Sequence, residues 1–227
     1  MLRFAPDIQA AAPLTLLCIG AHADDIEIGC GGTVLRLLSE RNDVTVHWVV
    51  LSADAVRERE ARGSAARFLR RAAARHIRIE HFRDSFMPWE GGAVKHVFEQ
   101  LKLAVAPDIV FTHCREDAHQ DHRLAAELTW NTFRDHTILE YEIPKYDGDL
   151  GRPNVFVPLP DRIRRAKLRL LMSAFPSQRT RPWFTESTFD ALMRLRGVEC
   201  AAVEGWAEAF HGRKIVVAAA CSPGRTA

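Results

Sequence analysis

No run of apolar residues in this chain is longer than a strand, which excludes a membrane-spanning helix and with it membrane insertion. Met1 to Ala12 have no long apolar stretch behind a basic start, so the secretory pattern is missing too. Charge of either sign is not in excess. The net value is +2 over 227 residues, which gives no long-range field to draw nucleic acid or an anionic surface. Cysteine is scarce: five residues, an odd number, with no CxxC pair. That reads as reduced thiols in a cytoplasmic protein, with Cys30 and Cys114 as small buried hydrophobes. Repeats and low-complexity segments are absent. A dinucleotide fingerprint is missing as well, because Val34 stands where G-x-G-x-x-G needs its last glycine, and three carboxylates nearby would repel a pyrophosphate.

Hydrophobic residues make up 47% of the chain, ample for a core, and the length suits one domain over 1–227. Strand and helix patterns alternate. Strands are expected at Leu14–Ile19, Asp43–Leu51, His76–Phe82, Ile109–His113 and Thr137–Tyr141. Helices are expected from Val34 to about Ser39, then over Val56–Ala74, Ala93–Ala104 and His122–Asp135. This alternation predicts an α/β fold, a Rossmann-like three-layer α/β/α sandwich on a mainly parallel sheet over 14–141. The region 142–227 reads as a C-terminal cap: a Pro- and Gly-rich loop, Glu142 to Pro160, helices over Pro160–Phe175 and Thr185–Gly197, and a last strand over Lys214–Ala220.

The chemistry concentrates after the first strand. His22, Asp24, Asp25 and Glu27 put one imidazole and three carboxylates into six residues. Like charges so close repel and desolvate one another, and a bound cation removes the conflict. A second cluster, His119-Gln120-Asp121-His122, follows the fourth strand. In the doubly wound order 3-2-1-4, strands one and four are neighbours at the crevice where ligands bind, so the two stretches should meet there. His22, Asp25 and His122 then form a two-imidazole, one-carboxylate set with an open position, as in catalytic zinc sites. Fe2+ or Mn2+ satisfy the same ligands, and the set also matches the facial triad of non-haem iron oxygenases. A non-enzymatic metal- or sugar-binding module is a third reading. Asp24 is left for proton transfer.

The pattern A-H-A-D-D-I-E-I-G-C-G-G-T, with H-Q-D-H after the fourth strand, resembles the PIG-L/LmbE-type zinc-dependent N-deacetylases. Their motifs are close to A-H-P-D-D-E and H-P-D-H. Arg57 and Glu60 match an Arg-x-x-Glu of that family, and Ala207 to Phe210 match a further segment near its end. Ala23, Ile26 and Gln120 depart from the pattern without removing a ligand. The resemblance implies Zn2+ on His22, Asp25 and His122, and Asp24 as the general base that returns its proton to the leaving amine. It gives His119 the oxyanion or acid role, with Asp121 holding its tautomer. The implied substrate is a small N-acetylated amino sugar or its conjugate. Self-association into a homo-oligomer is common in such families. Arg57, oriented by Glu60, is expected to contact substrate, and Asp117 a substrate hydroxyl. Trp89, Tyr146 and Trp183 are candidates for a sugar-binding wall, His211 for a reach from the C-terminal half, and His113 for a packed residue.

Overall fold

Strand β1 (Leu14–Gly20) lies at the centre of the molecule because all but one of its side chains are buried, as a strand covered on both faces requires. The computed structural model describes residues 12–215. In it β1 pairs in parallel with β2 (Val44–Val50) on one side and β4 (Ile109–His113) on the other. Strand β3 (Ala74–Ile79) extends the β2 side and β5 (Thr137–Tyr141) the β4 side, again in parallel. Two antiparallel strands complete the sheet, β7 (Ala207–Gly212) against β5 and β6 (Val155–Pro158) against β7. The order is β3-β2-β1-β4-β5-β7-β6. The fold is therefore mixed α/β with a mostly parallel seven-stranded sheet.

The period of two along each strand divides the core. Leu16 and Cys18 face one layer with Trp48, Phe68 and Phe111, under helices α1 (Asp25–Glu40), α2 (Ala55–Phe68) and α5 (Asp161–Ala174). Leu17 and Ile19 face the other, with Phe98 and Val110, under α3 (Gly91–Ala104) and α4 (Gln120–Thr132). Helix α6 (Glu186–Glu199) packs on β7. No helix among the described residues is long and apolar enough to cross a membrane.

Several elements differ from the sequence reading. Helix α1 starts nine residues earlier than Val34 and runs straight through its glycines. The glycines are there for close approach: a Cβ on Gly29 would lie 2.2 Å from Tyr141 Cδ2, and one on Gly32 2.6 Å from Leu159 Cδ1. The turn after β1 therefore shrinks to Ala21–Asp24, which brings Asp25 into the first helical turn. Helix α2 ends at Phe68 rather than Ala74, because the next residues turn the chain into β3, two residues ahead of its expected start. The segment read as pure loop contains β6, which pairs with β7. The last strand expected over Lys214–Ala220 falls largely outside the described residues. Within them the final strand is β7, and it places Ala207–Phe210 inside the sheet.

Candidate metal centre

All the chemistry sits beyond the carboxyl ends of the parallel strands. His22 follows β1, Arg57 opens α2 after β2, Asp84 and Ser85 follow β3, and Asp117, His119 and His122 follow β4. All of these except Asp117 border a cleft of about 1130 Å³ whose far wall includes Lys145, Tyr146 and Trp183. The parallel pairing of β1 with β4 at the sheet's centre brings residues a hundred positions apart into contact.

His22 Nδ1 lies 3.1 Å from His122 Nε2 and 3.4 Å from Asp25 Oδ2, and His122 Nε2 lies 3.6 Å from the same oxygen. The outer nitrogen of each imidazole faces a carboxylate. His22 Nε2 is 3.3 Å from Asp121 Oδ2 and 3.1 Å from Asp84 Oδ1, and His122 Nδ1 is 2.9 Å from Asp117 Oδ2. Protons on those outer nitrogens leave lone pairs on the inner ones. Two imidazole lone pairs and a carboxylate oxygen thus converge on one point. Their spacings match the edge of about 3.4 Å expected for tetrahedral ligands around zinc. The donor set fits a divalent cation.

The electrostatics agree. Burial, followed by the neighbouring His113, pushes His122 down to about 4, so its imidazole is neutral. Burial works against ionised Asp25, yet His122, His113 and His22 hold it well below the usual carboxylate range. Burial also opposes charge on His22, but Asp121, Asp25 and Asp84 raise it well above its ordinary value. The negative charge that draws an extra proton there is the charge a metal ion would neutralise.

Two other imidazoles, His119 and His113, lie within reach of the same point, and each has a ring nitrogen engaged by a backbone N–H. His119 Nδ1 accepts the Asp121 backbone N–H at 3.2 Å, so in the neutral ring Nε2 carries the proton. Burial lowers His119 further, keeping that ring neutral and its Nε2–H a donor at the cleft. His113 Nε2 accepts the Ala21 N–H at 2.9 Å, and its ring stacks on His122 with centroids 3.9 Å apart. It is a fully buried wall behind His122.

Asp24 is 4% exposed and borders the same cleft as His22, Asp25 and His122. Its Oδ1 accepts from Arg57 Nη2 at 2.5 Å, and its Oδ2 has no hydrogen-bond partner. Burial raises this carboxyl above its ordinary value and Arg57 offsets part of the rise. Arg57 is in turn held by Glu60 at 3.1 Å, as expected from the sequence, while its nearest acid is Asp24. Asp121 sits deeper than the sequence suggests. Its carboxylate accepts the Ser85 and Met87 backbone N–H groups and faces His22, so its main chain, not its side chain, sets the His119 tautomer. Asp117 is buried behind His122 rather than at the mouth. Trp183 and Tyr146 border the cleft. Trp89 instead packs on Phe86, and His211 lies on β7 beside Gly151.

Three contributors escape the sequence reading. Asp84, held down to about 2 by His22, is a single acid on a short connection with no motif around it. Ser85 beside it adopts a left-handed φ of 65°, which aims its N–H at Asp121. Lys145 belongs to the segment after β5, and nothing in its neighbours' spacing ties it to β4.

The architecture is shared with solved structures of low sequence identity. The conserved protein TT1542 from Thermus thermophilus matches at 21% identity and a TM-score of 0.69, over 93% of this chain and 100% of that one. The N,N'-diacetylchitobiose deacetylase of Pyrococcus horikoshii matches at 22% and 0.66, over 88% and 83%. GalB of Pseudomonas putida KT2440, a 4-carboxy-2-hydroxymuconate hydratase, matches at 15% and 0.69, over 92% and 100%. One fold thus carries a deacetylase and a hydratase, so the reaction has to be argued from side chains. The family model described as PIG-L, GlcNAc-PI de-N-acetylase, matches residues 17–133, just over half of the chain and the part that carries every member of the metal cluster. This chain therefore belongs to the PIG-L family.

Proposed function

We propose that the protein is a zinc-dependent N-deacetylase that hydrolyses the acetamide of an N-acetylglucosamine-type sugar or sugar conjugate. One observation carries the reading: three ligand atoms, 3.1 to 3.6 Å apart, share a cleft wall with a buried carboxylate that has one oxygen bare. Family membership and the sugar deacetylase among the structural neighbours support it.

His22, Asp25 and His122 would hold the metal. When bound, the ion supplies Lewis acidity, lowering the pKa of a water and polarising an amide carbonyl. Asp24 takes the proton of the attacking water on Oδ2, the oxygen Arg57 leaves free, and returns it to the departing amine. His119 presents Nε2–H to the oxygen that gains negative charge, and its locked tautomer removes the need to reorganise. Asp117 and Asp121 fix the two ligating rings from behind. Trp183 and Tyr146 offer aromatic faces to the apolar face of a pyranose across the cleft.

The test is acetate release by the zinc-loaded protein from a panel of N-acetylglucosamine glycosides and nucleotide sugars, with Asp24→Ala in parallel. Release by the wild type alone is the expected result. No release from any member, with metal bound, would overturn the reading.

A further inference from the structure

The segment after β5 sends one cation to the back of the metal centre. Lys145 Nζ lies 3.1 Å from Asp117 Oδ1 and pairs with Asp149 Oδ2, and the Lys145 side chain is only 9% exposed. Asp149 Oδ2 also accepts the Ala118 N–H at 2.7 Å. Asp117 joins this contact to the ligands. Its Oδ1 takes the His119 N–H at 2.8 Å, and its Oδ2 faces His122 Nδ1 at 2.9 Å. Lys145 and Asp149 therefore grip the loop ahead of α4 at the point from which His122 is oriented.

A carboxylate that touches only an imidazole can rotate about its terminal torsion, which is broad. Pinning one oxygen with an ammonium and a backbone N–H leaves the other fixed on the ring. The ring's inner lone pair is then fixed as well, and it must point within a narrow angle to share a cation with His22 and Asp25.

We propose that Lys145 is a positioning residue of the metal centre, acting through Asp117 to hold the His122 imidazole, so that the segment following β5 sets metal affinity. The inference rests on reading His22, Asp25 and His122 as the ligands, and its test separates the two.

Zn2+ affinity would be measured by competition with a chromophoric chelator for the wild type, Lys145→Met, Lys145→Arg, Asp117→Asn and the Lys145→Met/Asp117→Asn double variant. Lys145→Met should bind Zn2+ about ten- to hundredfold more weakly, the range for groups that orient metal ligands, as should Asp117→Asn. Lys145→Arg, which keeps the cation, should recover most of the loss. In the Asp117→Asn background, Lys145→Met should add less than about twofold, since the two changes cut the same connection. A purely structural lysine would add its effect in full there. Undiminished affinity in Lys145→Met, or full additivity in the double variant, overturns the proposal. Should Lys145→Met fail to fold, Lys145→Gln carries the same expectations. If the wild type itself binds no Zn2+, or His122→Ala binds it equally well, the ligand assignment fails and the inference falls with it. Intact wild-type binding with an unaffected Lys145 variant overturns the inference alone.

Discussion

Arg57 Nη2 lies 2.5 Å from Asp24 Oδ1, while Asp24 Oδ2, equally buried, has no hydrogen-bond partner. The guanidinium fixes the direction of the carboxylate and leaves its second oxygen unengaged. That division is what a general base beside a metal needs: it must be oriented, and it must keep a lone pair for the proton. Asp24→Asn should leave Zn2+ affinity within a few-fold of wild type, because the proposed ligands are His22, Asp25 and His122. It should lower kcat by about a hundred- to ten-thousandfold. Chelator competition and steady-state kinetics on one preparation check both halves.

The sequence predicts a substrate contact for Arg57, and the structure also places it on Asp24, the proposed base. The two roles separate in kinetics. Arg57→Ala should lower kcat by about tenfold or more if it acts on Asp24, since small misplacements of a reacting group cost up to about a hundredfold. Loss of a substrate contact alone would raise KM and spare kcat. Unchanged kcat and KM would remove Arg57 from both roles.

Removal of metal should be visible without substrate. A cation that binds only the folded state stabilises it by mass action, about 4 kcal/mol at a thousandfold excess over Kd. Dialysis against a chelator should therefore lower Tm by several degrees, and added Zn2+ should restore it. His122→Ala should show the lower Tm with or without Zn2+. A Tm indifferent to chelator would count against the ligand set.

The C-terminal half is tied to helix α1 by a buried ion pair. Lys167 Nζ bonds Glu208 Oε1 at 2.6 Å and the Ile28 carbonyl at 2.6 Å, while Glu208 accepts the Gly32 and Thr33 N–H groups at 2.8 and 2.6 Å. Ile28 and Gly32 are four apart, so the pair serves both ends of one helical step. Lys167→Met leaves Glu208 buried without its cation and should cost about 3–5 kcal/mol in chemical denaturation. The double change Lys167→Met/Glu208→Gln should cost less than the sum of the singles.

Glu27 is fully buried, and burial pushes its carboxyl up to about 8, with the nearby Ser64 hydroxyl offsetting part of the shift. The unfolded chain releases that proton near pH 4.5, the folded chain only near 8. Between these values the folded state binds more protons, so stability falls as pH rises. Below the window the contribution is flat, and above it the loss is complete. In metal-free protein, Glu27→Gln should therefore gain in Tm over wild type as pH is raised from about 5 to about 9. A constant difference across that range would show that Glu27 does not titrate there.

Much of this was legible in the chain. The strand Ile109–His113 falls where the sequence puts it, because a parallel strand covered on both faces is buried along its whole length. The sheet order around β1 follows from alternating strands and helices, and it brings His22 and His122 together. Helix α1 was not legible in full. Gly29, Gly31 and Gly32 argue against a helix by propensity, and only packing against Tyr141, Phe68 and Leu159 shows why they are tolerated. β6 and β7 were hidden for a related reason, since short antiparallel strands at a sheet's end gain their stability from each other.

The sequence by itself determined the candidate ligand types, their order and the strand ends that carry them, because those depend on local chemistry and on a period of two or 3.6. Only the tertiary structure decided which nitrogen of each imidazole faces the centre. It also decided that Arg57 holds Asp24, that Asp121 backs His22, and that Lys145 reaches Asp117. These are contacts between segments joined by no local pattern. Their geometry is set by where the sheet delivers each loop, and a hydrogen bond is decided by tenths of an ångström that a linear sequence does not encode.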